Sequence, residues 1–202
     1  MLSTMSTATK FSTSSARDRI LEVATDLFYR QGYRATGINE VIDKSGVAKA
    51  TFYKHFPSKD ELYEACLKVL SENELCLVDE GIRCGNDPHS RLLAVLKWLE
   101  TWAVNTDFRG CAFLHAASEV PDHNHRLRKV GTRLYDEIRH RVEKLAEELV
   151  ASDTDKYGQL DAKVLASDFM VLFSGAVAMA ELYHGIEPIR HAVDAFERLI
   201  GK

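Results

Sequence analysis

Pairs of cysteines, long apolar runs and a strong excess of either charge are all missing from this 202-residue chain. Cys66, Cys76, Cys84 and Cys111 form no CxxC pair and have no histidines at zinc-finger spacing, so free, buried thiols are expected. The apolar runs are cut by charges before the roughly 18 to 20 residues that a membrane helix needs; the longest lies around Phe169 to Ala180. With 26 basic against 30 acidic side chains and 46% apolar residues, the composition excludes disordered, collagen-like and disulfide-scaffold classes. Residues 1–15 are rich in Ser and Thr, carry Lys10 as their one charge and lack the apolar centre of a secretory signal. They are expected to form a flexible tail on a cytoplasmic protein. GxSxG, HExxH, P-loop and GxGxxG patterns are absent, which points away from an enzyme and from a bound cofactor.

Helical periodicity fills the rest. Ile20, Val23, Ala24, Leu27 and Phe28 mark one face of a helix from Ala16 to near Gly32. A short helix follows from Ile38 to Lys44, a Ser45-Gly46 break, and a second short helix from about Ala48 to Phe56, ended by Pro57. Ser58 and Glu61 form a capping box for a long helix. Helices are further expected over Arg91–Val104, Cys111–Glu119, a stripe from Leu127 to Leu149, Ala162–His184 and a last one opened by Pro188, with a loop over Ser152–Gln159. The fold class is all-α, with about nine helices. Residues 16–60 read as a small helical head and residues 61–202 as a helical body.

Charge separates the same two parts. The first 60 residues hold nine basic and six acidic side chains, the other 142 hold 17 and 24. That asymmetry suits a nucleic-acid-binding head on a body that avoids nucleic acid. Within the head, two short helices joined at Ser45-Gly46 form a helix-turn-helix candidate, Gly46 supplying the turn. Val47, Phe52 and Phe56 can face inward, leaving Lys49, Thr51, Tyr53, Lys54 and His55 as donors toward phosphates and base edges.

The stretch from Arg19 to Leu67, with its Gly32-Tyr33 turn, Thr36, Gly46-Val47, "TFYKHF" and "SKDEL", resembles the N-terminal DNA-binding domain of the TetR family of transcriptional regulators. The resemblance implies that Thr36 starts the first helix of the motif and bonds a phosphate. It further implies that Lys49, Ala50, Thr51 and Lys54 lie in or beside the major groove, and that Tyr53, His55 and Lys59 hold the backbone. Ala48 and Ala50 stand where members commonly have Ser and Gly, so a hydroxyl contact at position 48 is not carried over.

In the body, the density of Trp98, Trp102, Phe108, Phe113, His115 and Phe173 suits either an ordinary core or a pocket for an apolar or aromatic effector. Phe169, Leu172, Ala176, Met179, Phe196 and Leu199 on the last two helices suit a homodimer interface, which the resemblance also implies. His115, Glu119, Asp122, His123, His125 and His184 offer metal-ligand chemistry, yet Pro121 breaks the helix among them and loop or cap roles are expected. The expected function is a homodimeric, sequence-specific regulator, a repressor released from an inverted-repeat DNA operator by a small molecule. A metal-responsive regulator and a ligand-converting enzyme fused to a DNA-binding head are the alternatives.

Overall fold

A computed structural model describes residues 15–201, so all but the last residue of the expected N-terminal tail lies outside the described residues. Ten helices follow one another: α1 (Ala16–Gln31), α2 (Ile38–Ser45), α3 (Lys49–His55), α4 (Lys59–Cys84), α5 (Pro88–Asn105), α6 (Ala112–Glu119), α7 (Arg126–Ser152), α8 (Thr154–Tyr157), α9 (Ala162–Tyr183) and α10 (Glu187–Leu199). No strand occurs among the described residues. The tenth helix is α8, a single turn inside the expected Ser152–Gln159 loop. It is capped where the Lys156 amide donates to Asp153, and held by the buried Tyr157 ring.

Contacts divide the chain between Cys66 and Leu67, within α4. The head boundary falls past residue 60 because Leu62, Tyr63 and Cys66 are buried there, Tyr63 against Phe28 with ring centroids 4.6 Å apart. Ile20, Leu21, Ala24, Leu27 and Phe28 of α1, Val41 and Ile42 of α2, and Phe52 of α3 complete the head core. Burying one such side chain contributes about 1.5–3 kcal/mol, which is what holds a seven-residue helix too short to persist alone.

The body is built on α7. Leu127, Val130, Leu134, Ile138, Val142, Leu145 and Leu149 are all buried along one stripe, packed by α5, α6 and α9, and α10 closes on α9 and α5. Helix α5 begins three residues earlier than Arg91, at Pro88. Asp87 and Ser90 form a capping box there, and Pro at the first helical position loses no hydrogen bond.

Two expectations are corrected. Cys66 and Cys111 are buried, but Cys76 and Cys84 are exposed. Helix α9, although its uninterrupted apolar run is short, is 22 residues long and apolar enough by length and composition to cross a membrane. Here its apolar surface is shared between two uses: Leu165, Phe169, Phe173 and Val177 are buried in the body, whereas Val164, Val171, Leu182 and Tyr183 are exposed.

Candidate nucleic-acid interface

The head shows how a short helix is held rigid. Gly46 takes the left-handed conformation (φ 65°, ψ 24°) that ends α2 and turns the chain into α3. At the other end Phe56 is extended (φ −135°, ψ 90°), as a residue before proline must be, and Pro57 stops the helix. Between them Phe52 is fully buried and Val47 and Phe56 nearly so, with Phe52 and Phe56 ring centroids 6.3 Å apart. Three inward anchors leave the opposite face to solvent. Lys49, Ala50, Tyr53, Lys54 and His55 are exposed, and Thr51 is half-buried. Tyr53 is 43% exposed, with its ring edge-on to Phe52, so the hydroxyl-bearing end is free to extend. The outer face therefore carries two ammonium groups, an imidazole, a phenol, a hydroxyl and one methyl.

Lys59 belongs to a brace at the start of α4. Its Nζ donates to the Arg34 carbonyl at 3.3 Å and lies 4.6 Å from the centre of the Tyr33 ring; the Tyr33 hydroxyl in turn donates to Asp60. Ser58 caps the helix, accepting from the Glu61 amide at 3.2 Å and donating to its carboxylate at 3.3 Å. The brace keeps the Lys59 charge close to the Tyr33–Arg34 turn.

Thr36 departs from its expected part. It lies two residues before α2 rather than opening it, is 1% exposed, and its hydroxyl donates to the Gly32 carbonyl at 2.8 Å with Leu27 at 3.3 Å. A phosphate needs a donated proton, and this one is spent on locking the α1–α2 turn. A residue that sequence reasoning missed is Arg17, whose guanidinium carbon lies 5.5 Å from the centre of the Phe56 ring. That places a permanent cation from α1 beside the end of α3. Only tertiary packing brings positions 39 residues apart together, so no local pattern signals it.

In the body the six aromatic and imidazole candidates are held by the following contacts. Trp98 and Trp102 pair along α5 with tilted rings 6.2 Å apart, Phe108 lies tilted against His184 at 4.8 Å, and Phe173 stacks on Phe169 at 6.5 Å. Phe113 packs against Gly131, and His115 Nε2 bonds both Glu181 oxygens at 2.9 and 3.0 Å. Of the six, Phe113 and Phe173 are buried and the others partly so. Among the described residues no three metal-ligating side chains gather. His125 instead caps α7, Asp122 caps a turn at the Asn124 amide, and His184 ends α9 in the left-handed region.

The interface set is corrected as well. Phe169 and Phe196 are fully buried against each other within one chain, ring centroids 5.2 Å apart and nearly perpendicular, and Ala176 is buried with them. Met179 and Leu199, at 41% and 44% exposure, remain on the surface, while Leu172 is half-buried. Beside them an apolar groove is lined by Val171, Gly175, Met179, Tyr183, Pro188 and His191.

A three-helix head with an anchored α3 and an all-helical body is matched at both ends of the chain by family models. Residues 20–66 match the bacterial regulatory proteins of the tetR family, and residues 88–196 match the tetracyclin repressor-like C-terminal domain. The chain belongs to the TetR family. It is similar to a TetR transcriptional regulator from Chloroflexus aurantiacus, with a TM-score of 0.81 at 26% identity over 93% of this chain and 94% of that one. A TetR-family transcriptional regulator from Streptomyces coelicolor gives 0.78 at 26% identity, covering 93% and 96%. Among curated relatives, the transcriptional activator FasR of Mycolicibacterium smegmatis is 37% identical over 40% of this chain, and the regulator LmrA of Bacillus subtilis is 31% identical over 60%. The matched segments span 37% and 66% of those two relatives. The family match places α1, α2, α3 and the start of α4 in the regulatory head of that family.

Proposed function

We propose that the protein acts as a homodimeric repressor whose two α3 helices read an inverted-repeat operator and whose body takes a small-molecule effector that releases the DNA. The observation that carries the reading is the α3 face itself. Phe52 fixes the helix from within while Lys49, Thr51, Tyr53, Lys54 and His55 project from it, with Arg17 and Lys59 nearby as phosphate-binding cations. Lys54 serves as base reader; Tyr53 and His55 serve the backbone. Ala50 offers its methyl to a thymine methyl.

Dimerisation is supported by the outer face of α9. Val164, Val171, Gly175 and Leu182 follow one another at helical spacing on its exposed side, Val171 72% and Leu182 71% exposed, beside Met179 and Leu199. A surface this apolar gains from burial against its own copy, and Gly175 and Ala178 permit close helix approach. Helix α4 runs from the head into the body, and a ligand that prefers one arrangement of the body shifts the population of DNA-competent dimers.

In vitro transcription from a promoter overlapping an operator selected from random duplexes tests the direction of control. Repression on adding the protein is expected; increased transcription contradicts the repressor reading while leaving DNA binding in place.

A further inference from the structure

A lysine is a costly phosphate contact when its stem is loose, because rotamer freedom is lost each time the ammonium settles on an oxygen. Lys59 is held before any phosphate arrives. Its Nζ lies 4.6 Å from the centre of the Tyr33 ring and donates to the Arg34 carbonyl at 3.3 Å, so two consecutive residues of the α1–α2 turn grip one ammonium. A ring face and a carbonyl oxygen attract a cation without cancelling its charge, which these two contacts therefore leave to draw a phosphate.

Tyr33 owes its own position to packing from two helices. Its ring is stacked on Tyr63 of α4 at 5.1 Å and on Phe28 of α1 at 6.3 Å, with interplanar angles of 24° and 25°. Both partners are 3% exposed, whereas Tyr33 is half-buried. The phenol hydroxyl donates to Asp60, the residue after Lys59. The head core and the first turn of α4 thus fix the ring, and the fixed ring presents an electron-rich face to the ammonium. Lys59 follows His55, the last residue of α3, after only Phe56, Pro57 and Ser58, so the charge held there stays close along the chain to the exposed α3 face.

We propose that Tyr33 is a positioning residue for DNA binding, its ring holding the Lys59 ammonium in place for a backbone phosphate beside the end of α3. The proposal rests on the reading of Lys59 as a phosphate-binding cation and adds the residue that orders it. Tyr33 acts through Lys59 alone, by lowering the ordering cost of a contact that Lys59 makes.

The test measures binding of full-length protein to a 30-base-pair duplex of mixed sequence over a salt series, since phosphate contacts carry sequence-independent affinity and its salt dependence. Lys59→Ala is expected to weaken binding and to lower the slope of log K against log salt by about one for each head engaged. Tyr33→Leu is expected to weaken binding about threefold per head when Lys59 is present and to cost nothing further in the Lys59→Ala background. Tyr33→Phe keeps the ring face and is expected to stay within about twofold of wild type. Pentafluorophenylalanine at position 33 keeps the ring's shape but makes its face electron-poor; it is expected to reproduce the Tyr33→Leu loss, whether or not Tyr33→Leu itself folds. Equal losses from Tyr33→Leu with and without Lys59, or a pentafluorinated ring that binds as Phe does, overturn the proposal while leaving Lys59 as a phosphate contact. An unchanged affinity and slope in Lys59→Ala overturns the reading of Lys59 and the proposal with it.

Discussion

Two glycines separate backbone strain from collision. At Gly46 (φ 65°) a Cβ meets nothing within 4 Å, so Gly46→Ala costs only the left-handed conformation, about 1 kcal/mol of head stability, read by denaturant titration. At Gly110 (φ 80°) a Cβ collides with the Glu181 carboxylate as well, and that carboxylate holds His115. Gly110→Ala is therefore expected to destabilise by clearly more than Gly46→Ala; equal losses contradict the placement of the loop on α9. Glu74 predicts a pH dependence. Its carboxyl is raised from 4.5 to about 7 by burial, so the folded state binds the extra proton, and this contribution is present below about pH 4.5 and lost as pH rises through 7. Glu74→Gln removes the loss: its melting temperature is expected to exceed that of wild type by several degrees at pH 8, from on the order of 2–3 kcal/mol, and to match it near pH 4.5. At the DNA face, Tyr53→Phe and His55→Ala are expected to weaken cognate and scrambled duplexes alike, whereas Lys54→Ala also changes sequence preference. A matching loss on both duplexes for Lys54→Ala removes its assignment as reader.

Elements differ in how openly the sequence declares them. Helices α1 to α4 are punctuated locally, by Gly32, Gly46, Pro57 and the Ser58–Glu61 box, and each mark does in the structure what its chemistry demands. Helix α8 escaped because its single turn depends on Tyr157 being buried, a tertiary fact. The division of α9 escaped for a related reason. A helix apolar on two sides does not declare which side is interior, so the pattern alone sends Phe169 and Phe196 outward, whereas they fill the α9–α10 seam. Thr36 carried a family role, yet its depth and its bond to Gly32 became visible only in three dimensions. Glu74 gave no signal at all, because a lone acid on a long helix looks solvated until neighbouring helices enclose it. The exposed α9 face yields its own prediction. Val171→Glu combined with Leu182→Glu puts charge on two residues about 70% exposed, which leaves the monomer folded and abolishes dimers in sedimentation. A charged variant that still sediments as a dimer contradicts the interface.

For the whole molecule, head and body divide the labour by charge and by surface. The basic head carries the exposed donors, and the acidic body carries the apolar face and most of the buried core. In the proposed dimer, two heads joined through α9 and α10 read two half-sites related by symmetry, which one seven-residue helix is too small to do alone. That joint reading of DNA is the central claim, and selection tests it directly. Purified full-length protein is mixed with a random duplex library at low and at physiological salt, and the retained DNA is sequenced. An enriched inverted repeat, whose loss of either half weakens binding by a hundredfold or more, is the predicted result. No enriched sequence at either salt concentration, or a single half-site bound as tightly as the pair, contradicts it.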